Sequence, residues 1–274
     1  MLALFVTYNK GIADRVPEPY RLSKGEFQKQ FFGGSGYPSN TIFNINNKNG
    51  LPDLIIAGDS FGHQYSKSLA HSGVNAIALF DHGCLIFPNY SRYLNNVEDL
   101  SCSEEYEKLK MVMAEHKNTP VVLASSWDTY NGILIKKGGS NPIPSDVDNY
   151  QNIIEKEIRQ IIKDGGRDRN YYIIGRPVST NIDGFNCIAG SSLPGYRLIS
   201  KCPASQKLKD ADINKHLKER LSSDNVIFIN PNDAICNNNE CAIIKNSQPL
   251  YTDGSHLSVY GSDIVVNYLL KKIL

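Results

Sequence analysis

Two short stretches carry residue types that could do chemistry together. The first is DLIIAGDSFGHQYSKSL, residues 53 to 69, where an apolar run stops at Gly-Asp-Ser and a polar, helix-like segment begins. Ser60 therefore stands where a buried strand meets a helix N-terminus, a place where backbone N–H groups gather beside a hydroxyl. The second is Asp253-Gly-Ser-His256, just before the last helical pattern. An Asp and a His three residues apart in a turn can set the carboxylate against imidazole Nδ1 and leave Nε2 facing outward. Serine is a weak nucleophile at neutral pH, so it needs such a base, and the base needs an acid to fix its tautomer. The bland reading of Gly-Asp-Ser is a turn with a helix cap.

These stretches are useful to each other only if the fold brings them to one edge. Strand-like runs occur at 53–57, 74–80, 120–124, 171–175 and 225–229. Helical patterns lie between them, at 60–71, 103–116 and 206–221, with the last running from a cap at Ser258. In DVDNYQNIIEKEIRQII, Tyr150, Ile153, Ile154, Ile158, Ile161 and Ile162 fall on one helical face. Short apolar strands alternating with helices predict a three-layer α/β/α fold around a five-stranded parallel sheet of flavodoxin-like type. Right-handed crossovers then place every strand's carboxyl end on one edge. Ser60, Gly83, Trp127, Arg176 and the YTDGSHLS run all follow strands and converge there.

At 274 residues the chain can bury a full core, and 29 Lys+Arg against 28 Asp+Glu gives no electrostatic case for nucleic acid. The six cysteines form no paired CxxC units, the histidines do not cluster with them, and no metal site is expected. Loop closure favours Cys236–Cys241, with Cys84–Cys102 and Cys187–Cys202 the other local pairs, which fits an oxidising compartment; six reduced thiols in a cytosolic protein is the alternative. No signal peptide is visible. The opening LALFVTY, residues 2 to 8, reads as a buried strand or as the last turns of a membrane helix. Residues 9 to 50 lack periodicity, include the loop-like FFGGSGYPSN, and form an extension packed on a domain spanning 51–274.

GDS after the first strand together with DxxH before the last helix resembles the SGNH (GDSL-type) hydrolase superfamily. The membrane-like opening, the extension, Gly83-Cys84 after the second strand and a Cys pair before the Asp-His turn look more narrowly like the SGNH domain at the carboxyl end of membrane acyltransferase-3 proteins. That group includes O-antigen and related polysaccharide O-acetyltransferases. The resemblance covers about residues 51 to 274. It implies Ser60 as nucleophile, His256 as general base and Asp253 as the residue that orients it. The oxyanion would be held by the N–H groups of Ser60 and Gly83. It further implies a membrane acyltransferase-3 domain in the same natural chain, a carbohydrate acceptor, a periplasmic position at the inner membrane, and no cofactor in this domain. The acetyl donor, acetyl-CoA, would act through the membrane domain.

The chain departs from that pattern after the third strand, where the usual Gly-x-Asn-Asp reads Ser125-Ser126-Trp127-Asp128. Trp127 thus takes the place of the oxyanion-hole asparagine, as a donor through its indole N–H or as a wall for an acceptor sugar; the bland alternative is a core tryptophan. His82, beside Gly83, and Arg176 are candidate substrate contacts. His63 reads as a helix-face or supporting residue, and His71, His116 and His216 as surface or loop residues. Three functions follow: the extracytoplasmic domain of an O-acetyltransferase, a free-standing carbohydrate acetyl esterase, or a non-catalytic glycan-binding domain, against which the intact Ser, Asp and His argue.

Overall fold

A computed structural model describes residues 16–18, 20–47, 50–191, 195, 202–223 and 225–274. The opening run 2 to 8 lies outside the described residues. Among those described, no helix is long and apolar enough to cross a membrane.

Six strands form the central sheet: β1 (Ile42–Ile45), β2 (Leu54–Gly58), β3 (Ala76–Phe80), β4 (Val121–Ala124), β5 (Tyr171–Ile174) and β6 (Val226–Ile229), in the order β1-β3-β2-β4-β5-β6. β2 to β6 are mutually parallel. Their flavodoxin-like order and apolar, fully buried central strands match the expected doubly wound sheet. The sheet is wider than five strands, however. Ile42–Ile45 from the extension pairs antiparallel with β3, Ile42 opposite Leu79 and Ile45 opposite Ala76.

Because side chains alternate along a strand, each strand feeds two cores. Ile55, Ile77, Leu123 and Ile173 meet Leu109, Ile154 and Leu217 from α4 (Leu100–Glu115), α5 (Val147–Gly165) and α7 (Asp212–Leu221). On the other face Ile56, Ala78, Val122 and Ile174 meet Leu69, Val265 and Leu269 from α3 (Ser66–Ser72) and α8 (Val259–Ile273). α5 begins where Asp146 accepts from the Asn149 N–H, and α8 where Ser258 accepts from Gly261.

Two predicted helices are revised. The one at 60–71 divides into α2 (Ser60–His63) and α3, because Gln64 turns its amide inward, donating to Phe61 O and accepting from Leu257 N–H. The one at 206–221 starts at Asp212, since Ser205–Lys207 pairs as a strand with Glu240–Ala242. All three local disulfides form: Cys84–Cys102, Cys187–Cys202 and Cys236–Cys241.

The described part of the extension has its own helix cap and apolar cluster. Ser23 and Glu26 make a reciprocal capping box at the start of α1 (Lys24–Phe31). Phe27, fully buried, stacks on Phe31 and packs against Tyr20 and against Phe185 of α6 (Gly184–Ser191), with ring centroids 4.5 to 5.7 Å apart. Further along, a side chain on Gly33 would put its Cβ 1.7 Å from the Gln64 carbonyl oxygen. Only glycine lets this segment lie against the end of α2.

Candidate active site

The chain leaves β2 toward β3 but leaves the neighbouring β4 toward β5, so a crevice opens at their carboxyl ends. Ser60 is the first residue of α2 at that point. Asp59 caps the helix and is wholly buried: Oδ1 accepts from Phe61 N–H at 2.8 Å, and Oδ2 from Ser126 N–H at 2.9 Å and Tyr130 O–H at 2.7 Å. Burial pushes its carboxyl above the ordinary range, against the pull of those donors and of His256.

The other half arrives from the turn before α8. Tyr251 and Leu257 form a bridge, and Thr252 N–H donates to His256 O at 2.9 Å. Within this turn Asp253 Oδ1 accepts the N–H groups of Ser255 and His256, each at 2.7 Å, as Asx turns do. Its Oδ2 lies 2.9 Å from His256 Nδ1, and His256 Nε2 lies 2.8 Å from Ser60 Oγ, across 196 residues of sequence. Burial alone would raise the Asp253 carboxyl, but the hydrogen bonds and charge of His256 and the Ser255 N–H hold it well below the usual range. With the Nδ1–H donating to the carboxylate, Nε2 keeps its lone pair for the serine hydroxyl. The geometry can therefore deprotonate Ser60 and fix the tautomer of the base.

Gly83 follows β3 with φ +79°, and a Cβ there would sit 2.1 Å from Arg92 Nη1. The adjacent Cys84–Cys102 bridge ties this loop to α4. Gly83 and Ser60 line one cavity of about 380 Å³, together with Phe61, Tyr130, Ile133 and Arg176. Arg176 stands 5.7 Å over the Phe61 ring, ion-paired to Asp128 and bonded to Ser179 Oγ at 3.2 Å.

Trp127 is placed elsewhere, contrary to both roles expected of it. It is 2% exposed, its ring packs near Phe87, and its indole N–H donates to Ile174 O at 2.7 Å. The side chain turns under the sheet edge into the core, so it offers the crevice neither a donor nor a wall.

His82 borders a second cavity, of about 410 Å³, that also reaches Ser60 and His256. Its Nε2 lies 2.6 Å from Nδ1 of the buried His63. Burial, then the charge of His82, lowers His63 to about 4; burial and His256 lower His82 too. Asp81, Cys84 and Cys102 also cluster, but the two sulfurs are joined to each other and offer no thiolate to a metal.

The extension contributes residues that the sequence reading missed. Gln28 on α1 donates its Nε2–H to Asp253 Oδ2 at 3.0 Å. The Phe32 ring meets His63, His82 and His256 edge-on, with centroids 5.7 to 6.1 Å apart. The Ser23-Lys-Gly-Glu26 capping signature was the available signal for α1.

The family model for SGNH domains fused to AT3 domains matches residues 30–271. Among solved structures, the chain is similar to the periplasmic domain of a lipopolysaccharide acetyltransferase from Salmonella ser. Paratyphi A. The two are 17% identical with a TM-score of 0.60, over 82% of this chain and 85% of that one, which shows a shared fold. It is also similar to a carbohydrate acetylesterase from Sinorhizobium meliloti, at 13% identity and a TM-score of 0.41, over 80% of this chain and 97% of that one. No curated protein matches the chain in sequence.

Proposed function

This chain belongs to the family of SGNH domains fused to AT3 domains, and on that premise we propose that it transfers an acetyl group to a sugar hydroxyl of a bacterial surface polysaccharide, working at the periplasmic face of the inner membrane. The observation that carries the reading is the unbroken chain of hydrogen bonds from Ser60 Oγ through His256 to Asp253.

His256 Nε2 takes the Ser60 proton as Oγ forms a bond to the acyl carbonyl carbon. The resulting oxyanion faces the N–H groups of Ser60 and Gly83, donors of a kind whose loss raises barriers by about 3 kcal/mol. Collapse breaks the bond to the leaving group, which departs with the proton from His256. The acceptor hydroxyl then gives its proton to Nε2 and attacks the ester carbonyl, and Ser60 leaves carrying that proton. Asp253 holds the imidazole in one tautomer throughout and offsets its positive charge. The acetyl group, with acetyl-CoA as its donor, arrives through the membrane domain, and the steps here call on no cofactor held in this domain.

The test is Ser60→Ala in the full-length protein, with acetate measured on the glycan. Loss of acetylation supports the reading, and unchanged acetylation ends it. Rapid turnover of a chromogenic acetyl ester by this domain alone, with no transfer to sugar, would favour an esterase.

A further inference from the structure

Ser60 and His256 are shared by two cavities of different character. One is lined by Gly83, Phe61, Tyr130, Ile133 and the two guanidinium groups of Arg92 and Arg176. The other is built by the extension, from Gly25, Gln28, Lys29, Phe32 and Ser35, and is closed by His82. We propose that the extension-built cavity is the alcohol subsite, and that it takes the sugar ring whose hydroxyl gains or loses the acyl group. This rests on the reading of Ser60 as the acyl carrier.

The assignment follows from the directions around a tetrahedral carbon bonded to Ser60 Oγ. Its oxyanion points toward Gly83, which lines only the first cavity. The alcohol oxygen must instead lie within reach of His256 Nε2, so the side left to it is the one away from Gly83. Because the same position serves an arriving or a departing alcohol, it holds for transfer and for hydrolysis.

The lining fits a hydroxylated ring. Phe32 supplies one apolar face and Lys29 a donor, while Ser35, whose hydroxyl donates to the Lys29 carbonyl, offers its oxygen as an acceptor. Gln28, with Nε2 committed to Asp253, keeps its amide carbonyl as an acceptor. The apolar side chains suited to an acyl group, Phe61 and Ile133, lie in the other cavity. At about 410 Å³ the space exceeds what water or methanol needs.

Gly25 provides the test. It lies in the first turn of α1, has an ordinary backbone conformation, and a Cβ there meets nothing within 4 Å. Gly25→Phe therefore starts into open space at the cavity wall, and replacing a helical glycine does not weaken α1. Two ratios of kcat/KM are measured for wild type and variant: a mono-O-acetylated methyl glucopyranoside against ethyl acetate, and ethyl acetate against ethyl butyrate. The expected result is a sugar-to-ethyl ratio lowered at least tenfold, an acetate-to-butyrate ratio within twofold of wild type, and an unchanged melting temperature. An unchanged sugar-to-ethyl ratio, or a shift in the acyl ratio instead, overturns the assignment. Binding of the acetylated pyranoside is also titrated by NMR in Ser60→Ala protein with and without Gly25→Phe. Binding abolished by the second substitution supports the subsite even if Ser60 carries no acyl group. Binding that persists, or is absent from Ser60→Ala alone, refutes it.

Discussion

Tyr130→Phe isolates the buried support beneath the nucleophile. The ring stays, so packing is unaltered, and only the hydroxyl that donates to Asp59 Oδ2 at 2.7 Å is lost. A hydrogen bond to a charged group contributes about 1.5–3 kcal/mol, and a neutral one about 0.5–1.5 kcal/mol. Tyr130 and Asp59 are both buried, and no other protein group stands ready to replace the lost donor among the bonds Asp59 makes. At pH 8 the variant should lose about 1.5–3 kcal/mol of unfolding free energy. The pH sign follows from linkage. The Tyr130 hydrogen bond lowers the Asp59 pKa, which burial has already raised above the ordinary carboxylate value. Removing it raises that pKa further, so the variant binds the Asp59 proton more readily in the native state, and its deficit must shrink as pH falls through the Asp59 titration. At pH 4 the deficit should be about 1 kcal/mol or less. Urea unfolding at the two pH values reads this, followed by the fluorescence of Trp127, the single tryptophan, which adjoins Ser126. A deficit below about 0.5 kcal/mol at pH 8, or one that grows toward pH 4, would refute the role given to the Asp59 pocket.

Two further predictions concern neighbours of the site. Trp127→Phe leaves the Ile174 carbonyl without its donor and a gap beneath the sheet edge, and should cost about 2–4 kcal/mol by thermal unfolding. Turnover of a chromogenic acetyl ester should fall far less than the roughly 10²-fold that loss of an oxyanion donor brings. His63, lowered to about 4 from 6.5, stays neutral in the fold where the unfolded chain takes up a proton, so its contribution is lost as pH falls from 6.5 toward 4. Against His63→Gln, wild-type stability should decline by up to about 3 kcal/mol across that window, at about 1.4 kcal/mol per pKa unit, measured by denaturation at each pH. A difference that stays flat would show that His63 does not titrate as placed.

The parallel strands and the convergence of Ser60 with the Asp253–His256 turn were legible because both depend on periodicity and on crossover handedness, which act locally. β1 was not, since four residues beside an Asn-rich turn carry no period of their own, and their strand character comes from the exposed edge of β3. The direction of Trp127 was equally hidden. Spacing put it at the strand end, but whether its ring enters the crevice or the core depends on the Ile174 carbonyl 47 residues away. Phe32 sat in a stretch that read as loop, and Gln28 in an extension without periodicity. The role of Gln28 depends on a contact with Asp253 that spans 225 residues, and that of Phe32 on rings as distant as His256.

The three disulfides join cysteines in the order in which they occur: 84 with 102, 187 with 202, 236 with 241. Of the fifteen ways to couple six thiols, this one asks each sulfur only to find the next to emerge. A polypeptide threaded from its amino end into an oxidising space would reach its mature cross-links without reshuffling. The loop bearing Gly83 would be fastened while half of the sheet was still to come.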